Sequence, residues 1–508
     1  MSINLWLGFG PAPAKILRNS LTESGRIFVL SGVMNSSPAV KAAVTSFVML
    51  CSGIPAAQTL AGLPPNYSEA QYQGSSAPQY ACAPPTPPDL QKGRKVIDAT
   101  NGVDGSGAFA IGHYRNLFVE DGHSQREVNR KIKAAFQQLF HGNPTNQTVY
   151  YSAGSNSNGP LAYVTDIKHH DVRTEGMSYG MVIAVQMNKK PEFDAIWNWA
   201  MTYMYHDSPV HPSCGFFSWS FKTNATVNSE YVAPDGEEYF VTALYFAANR
   251  WGNGKGIYNY QAQADRLLTN MRHRARITGP VFSFRWGTNS ITTVTAGPLF
   301  DAEHKMVLFS PSSERPPFTD PSYQLPAFYE LWARWGPPAD RDFWMDAAAA
   351  SRDFFQRVTH PATGLAPNTA NFDGTPATNL WNRGVANFGF DAFRVAGNWS
   401  VDWSWWGKDV RERQLSDRLQ AFFESKGMTN YGCQFTLDGR QLDNRHAQGL
   451  AAVNAVASLA ATNPRSKEFV EALWNMPIPD GIERYYEGLL YMMALLHCSG
   501  EFRIWSPQ

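Results

Sequence analysis

Three acidic residues, far apart in the chain, share a setting. Glu175 lies in DVRTEGMSYGM (171–181), directly after Thr174 and before an apolar run. Asp235 lies in APDGEEYF (233–240), with Glu238 three residues further on. Asp391 lies in FGFDAFRVAGNW (388–399). Each opens a stretch with helical spacing. Asp320-Pro321-Ser322-Tyr323 and Arg445-His446 open two others. Acids, Ser and Thr are also ordinary helix caps, favoured there by the helix dipole. Taken singly, each acid reads as a cap. Three at one rim, with a tyrosine and tryptophans near, read differently. Two carboxyl groups about 6.5–9.5 Å apart can break a glycosidic bond with inversion. One gives a proton to the leaving oxygen while the other, ionised, activates a water on the opposite face. The acid must hold its proton near neutral pH, which burial or a neighbouring carboxylate such as Asp235 can arrange.

Something has to bring these residues together. Helical periodicity recurs at 129–142, 174–187, 191–206, 235–251, 258–273, 321–335, 340–358, 391–406, 409–427, 446–461, 465–475 and 482–498. The segments alternate in character. The second, fourth, sixth, eighth, tenth and twelfth are apolar or Gly/Ala-rich on most sides, and their partners are amphipathic. Apolar helices are buried and amphipathic ones coat them, so the pattern predicts an all-α fold, an (α/α)6 barrel. Parallel inner helices then gather their N-termini at one mouth. An unspecific helical bundle is the plainer alternative.

The bulk composition is globular: 44% hydrophobic, 17% charged, formal net charge zero over 508 residues. That balance gives no electrostatic case for nucleic acid or an anionic membrane. Sixteen Trp and 21 Tyr offer either larger aromatic cores or faces that stack on sugar rings. The five cysteines show no metal-ligand spacing, and their pairing is not readable. His169-His170 beside Asp171 has no second ligand pair and reads as a structural loop. No cofactor or metal is expected. No phosphate loop, nucleotide fingerprint or Ser-His-Asp order is present.

The N-terminal part reads as an export segment. AVKAAVTSFVMLCSGIPAAQTLAG (39–62) has a lysine, an apolar stretch too short to span a bilayer, then small residues. Residues 1–61 are therefore expected to be an extension plus signal peptide, with secretion. Residues 62–94 have the Pro/Ser-rich composition of a linker. Residues 95–508 remain as one catalytic-size domain, expected to act as a monomer.

The blocks DVRTEGMSYGM, APDGEEYF, FTDPSYQLPAFYELWARW (318–335) and FGFDAFRVAGNW resemble the signature blocks of the family 8 glycoside hydrolases, in the family's order. The resemblance spans roughly residues 95–500. It implies an (α/α)6 barrel of inverting enzymes acting on β-1,4 glucan, xylan, chitosan or mixed-linkage glucan. By that resemblance Glu175 matches the general acid and Asp391 the general base. Asp235 matches the aspartate that binds and distorts the sugar, and Tyr323 the tyrosine that helps place the water. Trp219 in GFFSWS and Arg394 in DAFRV match substrate-cleft residues. FTDPSYQLPAFYELWARW is most similar to the xylan-active members, especially reducing-end xylose-releasing exo-oligoxylanases. The implied substrate is a xylooligosaccharide or xylan. In those exo-acting members a loop before a late inner helix blocks the cleft and a histidine contacts the terminal sugar. Here that segment is QLDNRHAQGL (441–450), and His446 reads either as that contact or as a helix-capping histidine. Endo-acting xylanases or glucanases of the same family, and a carbohydrate-binding protein that has lost catalysis, are the alternatives. A polysaccharide lyase fits less well, because the charge balance is neutral and three acids are present.

Overall fold

The first long helix, α1 (Gln125–His141), begins at a reciprocal cap. Ser124 Oγ accepts the Glu127 N–H at 3.3 Å, and the Glu127 carboxylate accepts the Ser124 N–H at 3.1 Å. Eleven further long helices follow among the described residues: α2 (Thr174–Gln186), α3 (Lys190–Trp199), α4 (Pro234–Trp251), α5 (Tyr260–His273), α6 (Pro326–Trp335), α7 (Arg341–Val358), α8 (Phe393–Trp406), α9 (Arg411–Lys426), α10 (Gln448–Val456), α11 (Ser466–Asn475) and α12 (Arg484–Cys498). The computed structural model describes residues 105–507 except 286, 313–316 and 379–382, so the segments 1–61 and 62–94 lie outside the described residues.

The even-numbered helices form a closed inner ring. α2 packs on α4, α4 on α6, α6 on α8, α8 on α10, α10 on α12, and α12 returns to α2. Each odd-numbered helix packs outside an inner one: α3 on α2, α5 on α4, α7 on α6, α9 on α8, α11 on α10, and α1 on α12. This is an (α/α)6 barrel. The inner helices are buried nearly all round; in α2 every residue but Glu175 is buried. Glycine after an acid lets two helix starts approach closely. A Cβ at Gly176 would lie 2.5 Å from the Tyr485 ring, and one at Gly236 would lie 2.4 Å from Thr174 Cβ. Seven tryptophans, Trp197, Trp199, Trp332, Trp344, Trp399, Trp405 and Trp406, are among the largest fully buried side chains, so much of the indole content is core.

The fold is not purely helical. Seven antiparallel strands form one sheet in chain order: β1 (Tyr150–Asn156), β2 (Gly159–Asp166), β3 (Asp171–Arg173), β4 (Ser220–Lys222), β5 (Val227–Ser229), β6 (Ile277–Arg285) and β7 (Thr288–Ala296). The sheet occupies connections on the barrel, and β3 runs straight into α2. Arg173 pairs with Ser220 across β3–β4, and the next N–H, of Thr174, donates to the Trp219 carbonyl at 3.0 Å. The ladder thereby fixes the start of the helix that carries Glu175.

Several helix starts differ from the sequence reading. Asp235 is not the helix cap: Ala233 is the N-cap, Pro234 holds the first position, and Glu238 Oε1 accepts the Tyr329 hydroxyl at 2.6 Å. Asp320 to Tyr323 precede α6 in a separate turn, where Asp320 accepts the Ser322 N–H at 2.7 Å. The helix proper waits for Pro326, whose ring suits the first position and whose missing N–H costs nothing there. Asp391 likewise sits in a short turn, Phe390–Ala392, ahead of α8. α10 starts at Gln448, not at His446, and Glu487 of α12 caps it by accepting the Gly449 N–H at 3.0 Å. Cys433 and Cys498 are free and buried, whereas Cys214 is disulfide-bonded.

Candidate active site

Arg394, on the first turn of α8, is the hub. Its Nη1 donates to Asp235 Oδ2 at 2.8 Å and to the Tyr179 hydroxyl at 2.5 Å, and lies 3.2 Å from Glu175 Oε2. Its Nη2 donates to Asp391 Oδ1 at 3.3 Å. One guanidinium therefore ties together acids 60 to 216 positions apart in sequence, each from the start of a different inner helix. Tyr323 joins them: its buried ring lies 5.9 Å from the Arg394 guanidinium carbon. Glu175 and Asp391 are held no further apart than one guanidinium and two polar contacts allow. That span is compatible with the ~6.5–9.5 Å that leaves room for a water.

The electrostatics separate the acids. Burial raises the Glu175 carboxyl most; Arg394 pulls it down, and Asp235 and Asp391 push it up again, to about 7. Asp235 is also raised by burial, with Arg394 opposing. Asp320, buried close by, is pushed well above the usual range by burial and by the Asp391 charge. Asp391 is the most open of the three linked acids, its side chain 36% exposed against 15% for Glu175. Arg394 faces several acids, and the second cation near Glu175, Arg173, is shared with Asp166 and Asp171, so the acids at the site outnumber the cations and a proton is favoured among them. Phe390, just before Asp391, has a left-handed φ of 44°, costly for a bulky residue and held by the Tyr486 hydroxyl on its carbonyl at 2.9 Å.

The remaining sequence-derived residues fall at different distances from this hub. Trp219 adjoins it: its carbonyl anchors Thr174, and its half-buried ring faces the Arg173 guanidinium at 5.6 Å. His446 stands apart, with Nδ1 at 3.0 Å from the Tyr431 carbonyl and its ring edge-on to Tyr431 at 4.6 Å. It does not cap α10. The sequence reading did not reach Tyr485 of α12, whose hydroxyl donates to Glu175 Oε1 at 3.0 Å, or Tyr179 on Arg394. Both sit in buried apolar helices, where a tyrosine gives no local signal of its partner.

Outside the hub, His206, His211 and Glu230 bring ligand-type atoms within 4.8 Å of one another. The Ser213 N–H donates to His211 Nδ1 at 3.1 Å, which puts that ring's proton on Nε2, facing Glu230 at 3.3 Å. The two imidazoles stack in parallel at 4.1 Å. His206 and Ser218 are 2.7 Å apart, and the Phe282 N–H donates to Glu230 at 2.7 Å. These bonds tie the loop that carries Trp219 to the sheet. The His169-His170 pair is a turn in which His169 Nδ1 lies 2.7 Å from Asp166 and His170 is left-handed.

Comparison with known proteins agrees with this geometry. Residues 149–500 match the family model for glycosyl hydrolases family 8. The chain is 40% identical over 405 residues to the reducing-end xylose-releasing exo-oligoxylanase Rex8A of Paenibacillus barcinonensis, covering 79% of this chain and 100% of that protein. It is 41% identical over 406 residues to a reducing-end xylose-releasing exo-oligoxylanase of Halalkalibacterium halodurans, covering 79% and 97%. A crystal structure of a catalytic mutant xylanase from Teredinibacter turnerae in complex with xylohexaose superposes with a TM-score of 0.76 at 53% identity, covering 79% of this chain and 100% of that one. The chain belongs to family 8 of the glycosyl hydrolases.

Proposed function

We propose that the protein hydrolyses β-1,4-xylosidic bonds with inversion, releasing xylose from the reducing end of xylooligosaccharides. The observation that carries this is the arrangement on Arg394: a largely enclosed, proton-holding Glu175 and a more open Asp391 on one guanidinium. Asp391 takes a proton from a water as its oxygen bonds to the anomeric carbon. The bond from that carbon to the leaving oxygen breaks, and the oxygen takes the proton of Glu175. Solvent then resets both carboxyls. Asp235 grips the sugar being cleaved, Tyr323 steadies the water, and Trp219 and Arg394 line the cleft. His446 serves the blocked end. The exo-acting relatives, about 40% identical along nearly their whole length, support the substrate and the exo mode.

A second reading is endo-acting cleavage of xylan, favoured by the 53% identity to the xylanase bound to xylohexaose. Products from xylotriose through xylohexaose and from polymeric xylan decide between them. Xylose from every oligomer with the polymer left intact supports the exo mode, and a ladder from the polymer supports the endo mode. Activity confined to carboxymethyl cellulose or chitosan overturns the xylan assignment. Glu175→Gln and Asp391→Asn should each keep oligosaccharide binding and lose about 10²–10⁴-fold in turnover. A wild-type rate in either variant removes its assigned role.

Secretion and a monomeric state complete the proposal. Lys41 and the apolar stretch after it supply the export signal. The disulfide at Cys214 suits an oxidising compartment. N-terminal sequencing of the secreted protein and its sedimentation behaviour test the two points.

A further inference from the structure

The proton donor needs more than a raised affinity for its proton. It must present that proton from one oxygen, in one direction. The geometry around Glu175 shows what imposes this. Oε1 accepts the Tyr485 hydroxyl at 3.0 Å, while Oε2 faces Arg394 Nη1 at 3.2 Å. The two oxygens are therefore distinct. Burial, followed by the charge of Glu175, pushes the Tyr485 hydroxyl well above the usual phenol range, so the hydrogen in the contact belongs to the tyrosine.

Tyr485 is itself held from three sides. Its ring packs on Gly176, where a Cβ would come within 2.5 Å of the ring and 2.8 Å of the hydroxyl. The Arg173 guanidinium lies 6.0 Å from the ring centre and is anchored by Asp166 at 3.1 Å and Asp171 at 3.0 Å. The preceding residue, Arg484, donates to the Thr148 carbonyl at 2.8 Å and to the Gly481 carbonyl at 2.6 Å, which fixes the first turn of α12. Gly176 in TEGMSYG thus has a reason: it is the gap through which a tyrosine from the last helix reaches the acid.

We propose that Tyr485 is a positioning residue for the general acid, fixing Glu175 Oε1 as a hydrogen-bond acceptor and leaving Oε2 as the atom that delivers the proton. This rests on the assignment of Glu175 as the acid. Without the phenol hydroxyl the carboxyl can rotate and present its proton from either oxygen. The loss then falls only on reactions whose leaving group needs that proton.

Leaving-group dependence tests this. Xylotetraose requires a proton on the departing sugar oxygen. In β-xylobiosyl fluoride the carbon–fluorine bond breaks to give fluoride, which leaves without a proton, while water and Asp391 act as before. Tyr485→Phe should lose about threefold to tenfold in kcat on xylotetraose, the scale of one hydrogen bond to a neutral group, and stay close to the wild-type rate on the fluoride. Gly176→Ala, which keeps the hydroxyl but crowds the ring, should show the same selectivity. Equal losses on both substrates, or no loss on xylotetraose, overturn the role of Tyr485. Glu175→Gln serves as the reference. If it cleaves xylotetraose at the wild-type rate, the acid assignment itself fails. If it is impaired there and Tyr485→Phe is not, only the present inference fails.

Discussion

Two buried arginines on or beside the same ring of helices pull the acids around them the same way, yet Glu175 and Glu330 end up shifted in opposite directions. At the mouth, Arg394 serves Glu175, Asp235 and Asp391, with Asp320 close by. Toward the C-terminal ends of α6 and α8, Arg352 donates to Asp402 at 2.6 and 2.9 Å and to Glu330 at 2.9 Å. There Glu330 also accepts from Arg334 at 2.8 Å and from Lys408 at 2.9 Å. Glu330 is more deeply enclosed than Glu175: its side chain is 0% exposed against 15%. Burial raises the Glu330 carboxyl too, but Arg352, Lys408 and Arg334 outweigh it and the net direction is down. Glu175 goes up, to about 7. Burial alone does not decide which acid keeps a proton; the local ratio of cations to acids does. In the structural cluster three cations hold Glu330 below its ordinary value, whereas Glu412, buried beside Asp402, is pushed well above it by burial and by Asp402. At the mouth fewer cations face the acids, and Glu175, Asp235 and Asp320 are all raised.

The largest effect expected from this contrast is at the structural end. Arg352→Met strands Asp402 and removes one of three cations from Glu330, and breaking a buried pair from one side costs about 3–5 kcal/mol. Denaturant unfolding should show that loss while the surviving folded enzyme keeps its specific activity. A loss of activity without loss of stability would mean that the two clusters are one system.

The contrast was only half legible in the sequence. The alternation of apolar and amphipathic helices is strong because inner helices such as α2 are buried on all sides, and it predicts the ring. Glu175 and Asp391 stand near helix starts, where the N-termini of a ring must meet. The hub was less visible. Arg394 reads as one cleft residue in DAFRV, and its simultaneous reach to α2, α4 and the turn before α8 depends on closure of the ring. Glu330 is a lone acid in one of the apolar inner helices, and only packing shows that three cations surround it. The strands β3, β4 and β5 have three residues each, too short to display alternation. The β6–β7 hairpin did carry a signal, with β-branched and aromatic residues on either side of Gly287, which takes a φ of 77° in the turn.

A matched pair of substitutions sharpens the comparison at intermediate scale. Glu330→Gln should destabilise, because Arg334, Arg352 and Lys408 lose their shared anion; hydrogen bonds to charged groups put this at about 1.5–3 kcal/mol each way. Glu175→Gln should do the reverse at high pH. The folded-state value of about 7 lies above the ordinary 4.5, so the folded protein holds a proton that the unfolded chain has released between those pH values. Wild-type stability therefore falls as pH rises from 4.5 to 7 and stays low above it. Glutamine does not titrate, so the variant's advantage should grow across that window to at most about 3 kcal/mol, less what the partial exposure of Glu175 screens. Equal stability of variant and wild type at pH 8 would mean that the mouth is not short of positive charge.

The smallest effect lies between the two clusters. Gly397 sits on α8 between Arg394 and Asp402 and faces a cavity of about 50 Å³, lined also by Arg394, Asn398 and Val453. A Cβ there meets only Val453, at 3.5 Å, an ordinary contact. Gly397→Ala should therefore add about 0.5–1 kcal/mol of stability, through helix propensity and a less flexible unfolded chain. If the mouth and the structural cluster are independent, the pH dependence of turnover should not move. A thermal shift without a change in that profile fits two separate electrostatic units on one helix. A displaced profile would mean that packing in mid-helix reaches Arg394, and that the acids at the mouth are tuned by the barrel interior as well as by one another.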